Sequence, residues 1–264
     1  MVTATGRRAT ARGFRFRGEN LCAILSAMGW WLALALALVG CGRVGFASGA
    51  DAHASDAADA PAPPPSFVQY QNGHTNTQAA TVTFGSAIQA HSTIIACFDF
   101  NSTTVSALPV TDSLGNAYQT IVGPYDRTGF RHYIAIAENT AAGTDTLTIA
   151  ADQFTSMQIY LHEYTGLAPS NAVDQIAMAI GTSTAVDAMA SGFAVTTSAP
   201  ELLFGYAEMS GRGSAGTGFM MRSNLDGNVT EDAVADTPGT YQAVATMEVG
   251  GAEWSMILVT FRGP

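Results

Sequence analysis

Glu163 is the residue whose position most favours acid–base chemistry. It continues an alternation of apolar residues that begins at Met157, so its carboxyl would face a core. Burial raises the pKa of a carboxyl and suits it to act as a general acid. Glycoside cleavage needs a second carboxylate opposite the first, and the sequence does not show whether Asp99 or Glu208 converges on Glu163. The alternative is structural: Glu163 accepts backbone N–H groups at the end of its strand.

A second candidate site is the turn around Gly115, which Asp112 and Asn116 flank. Ca²⁺ prefers carboxylate and amide oxygens, so this pair is a candidate calcium site, and structural calcium is the one cofactor that the sequence suggests. The alternative is that both side chains bond the backbone of the turn. The segment 226–228, Asp-Gly-Asn, shows the same pattern more weakly.

Four tyrosines are candidate ligand-binding residues: Tyr125, Tyr160, Tyr164 and Tyr206. A tyrosine ring buries apolar area while its hydroxyl stays in water, so a group of tyrosines suits the flat faces of sugar rings. The alternative is ordinary packing inside a core.

Other catalytic and metal-binding signatures are absent from the sequence. His74, His91, His132 and His162 are scattered, without the His-Glu-x-x-His spacing of zinc enzymes. No Gly-x-Ser-x-Gly motif occurs, which disfavours a serine hydrolase. The glycine-rich segment 211–218 shows no helical pattern after it, which disfavours phosphate binding, and we interpret it as a flexible loop.

Strands must position these residues, because the dominant periodicity of the sequence is two. Apolar and polar residues alternate in the segments 80–84, 146–149 and 241–248. Such alternation is typical of strands with one face in a core. Three further segments are apolar on both faces, and we predict that they form central strands: 94–100, 202–207 and 256–261.

Turn-forming residues separate about a dozen such strands, and no convincing amphipathic helix is present. This pattern predicts an all-β domain, an antiparallel sandwich of two sheets with a jelly-roll-like arrangement. No short repeat indicates a propeller or a solenoid.

The segment 110–118, Val-Thr-Asp-Ser-Leu-Gly-Asn-Ala-Tyr, reads as a hairpin around a tight turn. Further short motifs follow it in order: Tyr-Ile-Ala at 133–135, Ala-Gly-Thr at 142–144, Glu-Tyr-Thr-Gly-Leu at 163–167, Glu-Leu-Leu at 201–203 and a last strand opening at Trp254. This order resembles uncharacterised extracellular β-sandwich domains of bacteria, often found beside immunoglobulin-like or fibronectin-like modules in surface proteins. The resemblance covers most of 67–261 and implies no catalytic residues.

The N-terminal segment has the parts of an export signal. Five arginines precede an uncharged apolar stretch, 21–39, and the sequence Leu-Val-Gly-Cys ends it at Cys41. This ending resembles the lipobox of bacterial lipoproteins, which implies cleavage after Gly40 and lipid on Cys41. The residue after the cysteine is Gly42 and not Asp, a pattern that accompanies transfer to the outer membrane in Gram-negative lipoproteins, so the resemblance also implies the outer membrane. An uncleaved transmembrane anchor and plain secretion are the alternatives.

The sequence therefore predicts a signal peptide, 1–40, a lipid-anchored tether, 41–66, and a β-sandwich domain, 67–264. Residues 48–65 are rich in Ala, Asp and Pro and hold almost no large apolar side chain, so burial cannot offset the entropy of ordering them. Of the three cysteines only Cys97 belongs to the domain, and its apolar neighbours predict a buried thiol.

The charge balance restricts the partners. The chain has 11 basic residues, all of them arginine, and 21 acidic residues. Removal of the signal peptide, with five Arg and one Glu, leaves a formal charge of −14. Nucleic acid needs a basic face, so we expect no nucleic-acid partner, and anionic polysaccharides are disfavoured. Neutral glycans and envelope proteins remain as partners, besides the membrane reached through lipidated Cys41.

Together these features favour a non-catalytic lipoprotein of the bacterial cell envelope that binds a carbohydrate or a protein, as an adhesion module would. One alternative is a structural envelope component without a small ligand. The other is a jelly-roll glycoside hydrolase or lyase, with Glu163 as its acid.

Overall fold

The computed structural model describes residues 63–183, 187–248 and 252–264. These residues are all-β apart from a 3-10 turn at Leu225–Gly227, which confirms the predicted fold class. In chain order, β1 to β16 are Ser66–Thr83, Thr93–Phe100, Thr111–Asp112, Gln119–Arg127, Phe130–Ala137, Thr146–Thr165, Val173–Ser183, Asp187–Ala190, Ala194–Val195, Glu201–Met209, Gly213–Ala215, Met220–Ser223, Val229–Ala235, Thr240–Tyr241, Val244–Met247 and Ala252–Arg262.

Two large antiparallel sheets form the centre of the domain. The first has the order β1-β6-β2-β5-β4, with the short β3 beside β6. The second has the order β12-β13-β10-β16-β7. Strands β2, β10 and β16 each have neighbours on both sides, which confirms the three predicted central strands. The sheets face each other across a core of side chains from both: Ile95, Ile134, Tyr160, Phe204, Ile257 and Phe261.

The same strand order occurs twice along the chain. Residues 66–165, here called half one, contain five long strands: β1, β2, β4, β5 and β6. Counted in that order, the first pairs with the fifth, the fifth with the second, the second with the fourth and the fourth with the third. Residues 173–262, half two, repeat this order with β7, β10, β12, β13 and β16. Each half supplies one large sheet. No short repeat in the sequence indicates this duplication.

Each half also covers the outer face of its own sheet. In half one, β1 and β6 bend at a register shift between Thr77 and Ala79, and their far ends fold back over the sheet. A Cβ atom on Gly73 would lie 3.1 Å from Val82 Cγ2. In half two the equivalent cover is a separate sheet of β11, β15 and β8.

The covers give each half a core of its own. In half one this core includes Val82, Phe98, Phe100, Tyr133, Leu147 and Ile159. In half two it includes Met189, Met209, Val229, Ala245, Met247 and Leu258. The sandwich of two sheets is therefore the inner part of a structure with four layers and three cores.

The chain enters the domain beside the end of half one. A Cβ atom on Gly166 would lie 2.6 Å from the Pro64 carbonyl oxygen. The predicted signal peptide, the lipidation site Cys41 and the tether up to residue 62 lie outside the described residues. Among the residues that are described, no helix is long and apolar enough to cross a membrane.

Candidate functional site

Asp99 and Glu208 meet between the two large sheets, at corresponding positions of β2 and β10. Each is the second-last residue of its strand and is almost fully buried. The Tyr206 hydroxyl donates to Asp99 Oδ2 at 2.7 Å, and the Arg127 guanidinium donates to both oxygens of Glu208. These four residues, with His132, form what we call the polar centre.

Burial controls the protonation of the polar centre. It raises the pKa of Asp99 well above the usual range, and the nearby charge of Glu208 raises it further. Burial also raises the pKa of Glu208, although Arg127 opposes that change. The pKa of His132 falls to about 3, because burial and then the charge of Arg127 disfavour the imidazolium. His132 is therefore neutral at neutral pH, with Nε2 3.3 Å from Ser255 Oγ.

The hydrolase hypothesis required a second carboxylate opposite Glu163, and neither Asp99 nor Glu208 supplies it, because these two residues meet each other instead. Glu163 lies on the opposite face of the first sheet, where its carboxylate accepts the Gln89 backbone N–H at 2.6 Å and the Gln69 side-chain amide at 2.7 Å. This confirms the structural alternative for Glu163. Asp99 and Glu208 lie between the two sheets and are only 1% and 2% exposed.

The tyrosine platform is wrong for three of its four members. Tyr160, Tyr164 and Tyr206 are buried, because they lie in the core between the two large sheets. Their hydroxyls donate to acceptors within the protein: Tyr164 to Asp232 Oδ2 at 2.6 Å, Tyr160 to the Leu225 carbonyl at 3.1 Å and Tyr206 to Asp99. Tyr125 is half-buried at the edge of the same core.

Asp112 and Asn116 are close together, as predicted, but the turn uses their oxygens. Asp112 Oδ1 accepts the backbone N–H groups of Leu114 at 3.1 Å and Asn116 at 2.9 Å. Asn116 Oδ1 accepts the Ala141 N–H at 2.9 Å. These are the contacts of the alternative interpretation, in which both side chains bond backbone groups around the turn. Among the described residues no group of three or more His, Cys, Asp or Glu could hold a metal ion.

Cys97 and Asp226, two further residues of interest in the sequence, also have defined places. Cys97 is fully buried between the sheets, as predicted, and burial raises the pKa of its thiol. Asp226, in the Asp-Gly-Asn segment 226–228, has a positive φ of 54° and accepts from His74 Nδ1 at 2.7 Å.

The open side of the sandwich between edge strands β1 and β12 carries a groove centred on Arg222. Arg222 Nε and Nη2 donate to the Asp232 carboxylate at 2.7 and 2.8 Å. The guanidinium carbon also lies 4.0 Å from the centroid of the Phe67 ring. Two cavities, of about 420 and about 600 Å³, meet at this side chain. Since both contacts fix the guanidinium, the groove is formed before any ligand arrives.

Large side chains line the Arg222 groove yet remain exposed. Tyr70 is 46% exposed, Met220 60% and Met221 42%. Tyr70 stacks on the buried His162 ring, with centroids 6.4 Å apart and planes at 23°. Asn72 donates to Ser223 Oγ at 3.0 Å and joins the two edge strands. One weak signal for this site was present in the sequence: the glycine-rich loop leads directly into its Gly218 wall.

The other open side, between β4 and β7, has a different character. In half two, Ile176, Met178 and Ile180 occupy the β7 positions that Tyr70, Asn72 and His74 occupy in β1. All three are between 38% and 44% exposed. One side of the molecule is therefore aromatic and polar, and its counterpart is aliphatic.

Comparison with protein-family models, with curated proteins and with solved structures finds no match. A fold alone does not define an activity, so the function must be argued from the chemistry of these sites.

Proposed function

We propose that this domain is a non-catalytic binding module of the bacterial cell envelope that holds a neutral glycan in the Arg222 groove. The observation that carries the proposal is the exposed Tyr70 ring beside a fixed guanidinium and two methionines. Ligand sites combine apolar walls with a few well-placed polar groups, and this groove has that composition.

The charges of the groove favour a neutral ligand. Asp232 neutralises Arg222 through two hydrogen bonds, so little positive charge remains for an anionic sugar. The formal charge of the whole chain is −10, which would repel polyanions at longer range. Tyr70 offers a ring face for a pyranose, and Asn72 and Asn224 offer amides for hydroxyl groups.

The predicted anchor agrees with a binding role at the surface. The groove follows β1 from Phe67, next to the point where the chain enters the domain, towards His74 at the other end of the sheet. A lipid on Cys41 and a tether of 41–66 would hold the module at the outer membrane.

The experiment is a thermal-denaturation panel of the exported chain with neutral polysaccharides. A ligand that binds only the folded state stabilises it by about 2.7 kcal/mol at a hundredfold excess over Kd. We expect a rise in Tm for at least one polysaccharide, lost in Tyr70→Ala. Phe154→Ala is the matched control, because Phe154 is an exposed aromatic residue (71%) on β6 outside the groove. A flat panel for the wild-type chain contradicts the proposal.

A structural role in the envelope is the second candidate, and the aliphatic side favours it. Ile176, Met178 and Ile180 give an edge strand an exposed apolar face, and such edges pair readily with other proteins. If this role is correct, Met178→Arg would abolish co-purification with an envelope protein and leave glycan binding unchanged.

A further inference from the structure

The Arg222 side chain uses only two of its three guanidinium nitrogens inside the protein. Nε and Nη2 donate to the Asp232 carboxylate. Nη1 has no hydrogen-bond partner among the residues that the structure describes, and it is not one of their buried unpaired atoms, so solvent reaches it. The side chain as a whole is 23% exposed. The groove therefore contains a nitrogen that is held in place and keeps its N–H groups for a ligand.

The cavity of about 420 Å³ beside Arg222 offers this donor but almost no accessible acceptor. Its polar lining side chains are those of Tyr164, Arg222 and Asp232. Tyr164 is fully buried and Asp232 is 5% exposed, and the carboxylate of Asp232 already accepts from the other two residues. The other lining side chains are apolar and include Phe67 and Met220.

A neutral carbonyl group suits this cavity better than a hydroxyl group or a carboxylate. A hydroxyl could accept from Nη1, but its own proton would face apolar walls, and a polar group that leaves water unpaired costs free energy. A carboxylate only accepts, but Asp232 already compensates the charge of Arg222 and would repel a second negative group. A neutral carbonyl only accepts, and a small apolar substituent on it would match the walls.

We infer that the glycan in the Arg222 groove carries N-acetyl groups, an inference that rests on the proposed function. The carbonyl oxygen of an acetamido group accepts from Arg222 Nη1. The methyl group packs in the cavity against Phe67 and Met220. This arrangement gives each part of the acetamido group a partner of matching polarity.

The neighbouring cavity, of about 600 Å³, accommodates the sugar ring that carries this group. It is lined by Tyr70, whose ring offers a face for stacking, and by Asn72 and Asn224. The amide oxygens of these two asparagines are acceptors for the acetamido N–H and for ring hydroxyls. Both cavities include Arg222 in their walls, so one acetamido sugar spans the boundary between them.

The test compares chitotetraose with cellotetraose, because the two share linkage and length and differ only in the acetamido group. Calorimetric titration of the exported chain measures each Kd. We expect chitotetraose to bind at least about tenfold more tightly, since it alone accepts the hydrogen bond from Nη1. Equal affinities would overturn the N-acetyl inference and leave glycan binding intact. Binding of neither tetraose would also overturn it, and the polysaccharide panel would then decide on the proposed function separately.

Met220→Ala tests where the acetamido methyl group lies. Met220 is 60% exposed, so its truncation should not disturb folding. The Kd for chitotetraose should rise about three- to tenfold through the lost apolar contact, and any affinity for cellotetraose should stay the same. Leu108→Ala is the control, because Leu108 is 44% exposed and does not line the groove. An unchanged Kd for chitotetraose in Met220→Ala would overturn the assignment of the methyl group to this cavity.

Discussion

The two halves of this protein have the same strand order but carry different residues at one buried pair of positions in the middle of their sheets. In half one, Ala96 of β2 pairs with Ala135 of β5. The corresponding pair in half two is Gly205 of β10 with Glu231 of β13. Both pairs face the core of their own half. One topology thus accommodates two methyl groups in one copy and a carboxyl in the other.

The difference shows what a buried charge requires of its neighbours. A Cβ atom on Gly205 would lie 2.7 Å from Glu231 Cγ, so only glycine leaves room for this side chain. Glu231 Oε2 accepts the Gly216 N–H at 2.8 Å, and Oε1 has no partner. Burial raises the pKa of Glu231 to about 7. The larger residue is tolerated in half two because a smaller one faces it.

The largest loss of stability is expected from removing the Arg127 guanidinium, which pairs with Glu208 and not with Asp99. Only Glu208 has a guanidinium partner, and Arg127→Ala would leave both carboxyls without one. Loss of one partner of a buried ion pair costs about 3–5 kcal/mol, and urea denaturation measures it. The matched control is Arg131→Ala, whose partner Asp126 is 40% exposed, with an expected cost below about 1 kcal/mol. Equal costs would show that the Arg127 pair contributes no more than a surface pair.

The second prediction concerns the pH dependence of stability, to which Glu231 contributes and its counterpart in half one, Ala135, cannot. Because folding raises the pKa of Glu231 from 4.5 to about 7, this group favours the folded state most below pH 4.5. Its contribution is lost as pH rises through 7. At about 1.4 kcal/mol per pKa unit, the loss is on the order of 3 kcal/mol. Glu231→Gln should remove this pH-dependent loss. The free energy of unfolding of the variant should therefore rise relative to that of the wild type between pH 4.5 and 7.5.

The measurement is the difference in free energy of unfolding between variant and wild type across that range. Using the difference cancels His132 and His162, whose lowered pKa values of about 3 act in the opposite sense, because their contribution is lost as pH falls below 6.5. Glu248→Gln, which changes an exposed carboxyl, is the control. A pH dependence of the difference for Glu231→Gln no larger than that for Glu248→Gln would refute the assignment.

The smallest change in stability is expected from a test of the direct contact between Gly205 and Glu231. Gly205→Ala should cost about 1–3 kcal/mol through overpacking against Glu231. The double variant Gly205→Ala, Glu231→Ala reproduces the Ala–Ala pair of half one and should recover most of that cost. Gly85→Ala is the control, since a Cβ there meets nothing within 4 Å. Additive costs in the double variant would contradict direct contact.

Local patterns of the sequence predicted the strands but not their partners. Alternation identified Val82 and Leu147 as core residues, and both are buried. The apolar runs identified the central strands. The assignment of each half to one sheet, and the meeting of Asp99 with Glu208, depend on pairing between distant segments, which one sequence does not encode locally. The repeated placement of an acid before the last residue of β2 and β10 was the available signal for the duplication.

The tyrosines show a second limit of local reasoning. Strand alternation correctly put Tyr160 and Tyr164 on one face, opposite Glu163. Which faces are covered depends on the second sheet, so the pattern alone could not distinguish a solvent-exposed platform from a buried one. The Arg222 groove was missed for the same reason, because Phe67 and Arg222 approach each other only when the two halves are packed.

Because the two halves differ in sequence, the interface between their large sheets need not be self-complementary. In a symmetric dimer of identical subunits every contact appears twice. Here Tyr164 and Asp232 form a hydrogen bond. The corresponding positions of the other half hold Phe261 and Ile136, both in the apolar core. Residues 166–172 join the halves covalently, and a short link keeps partners at an effective concentration in the millimolar range. One side of the interface can therefore carry a polar groove while the other remains apolar, a difference that two identical subunits related by symmetry could not have.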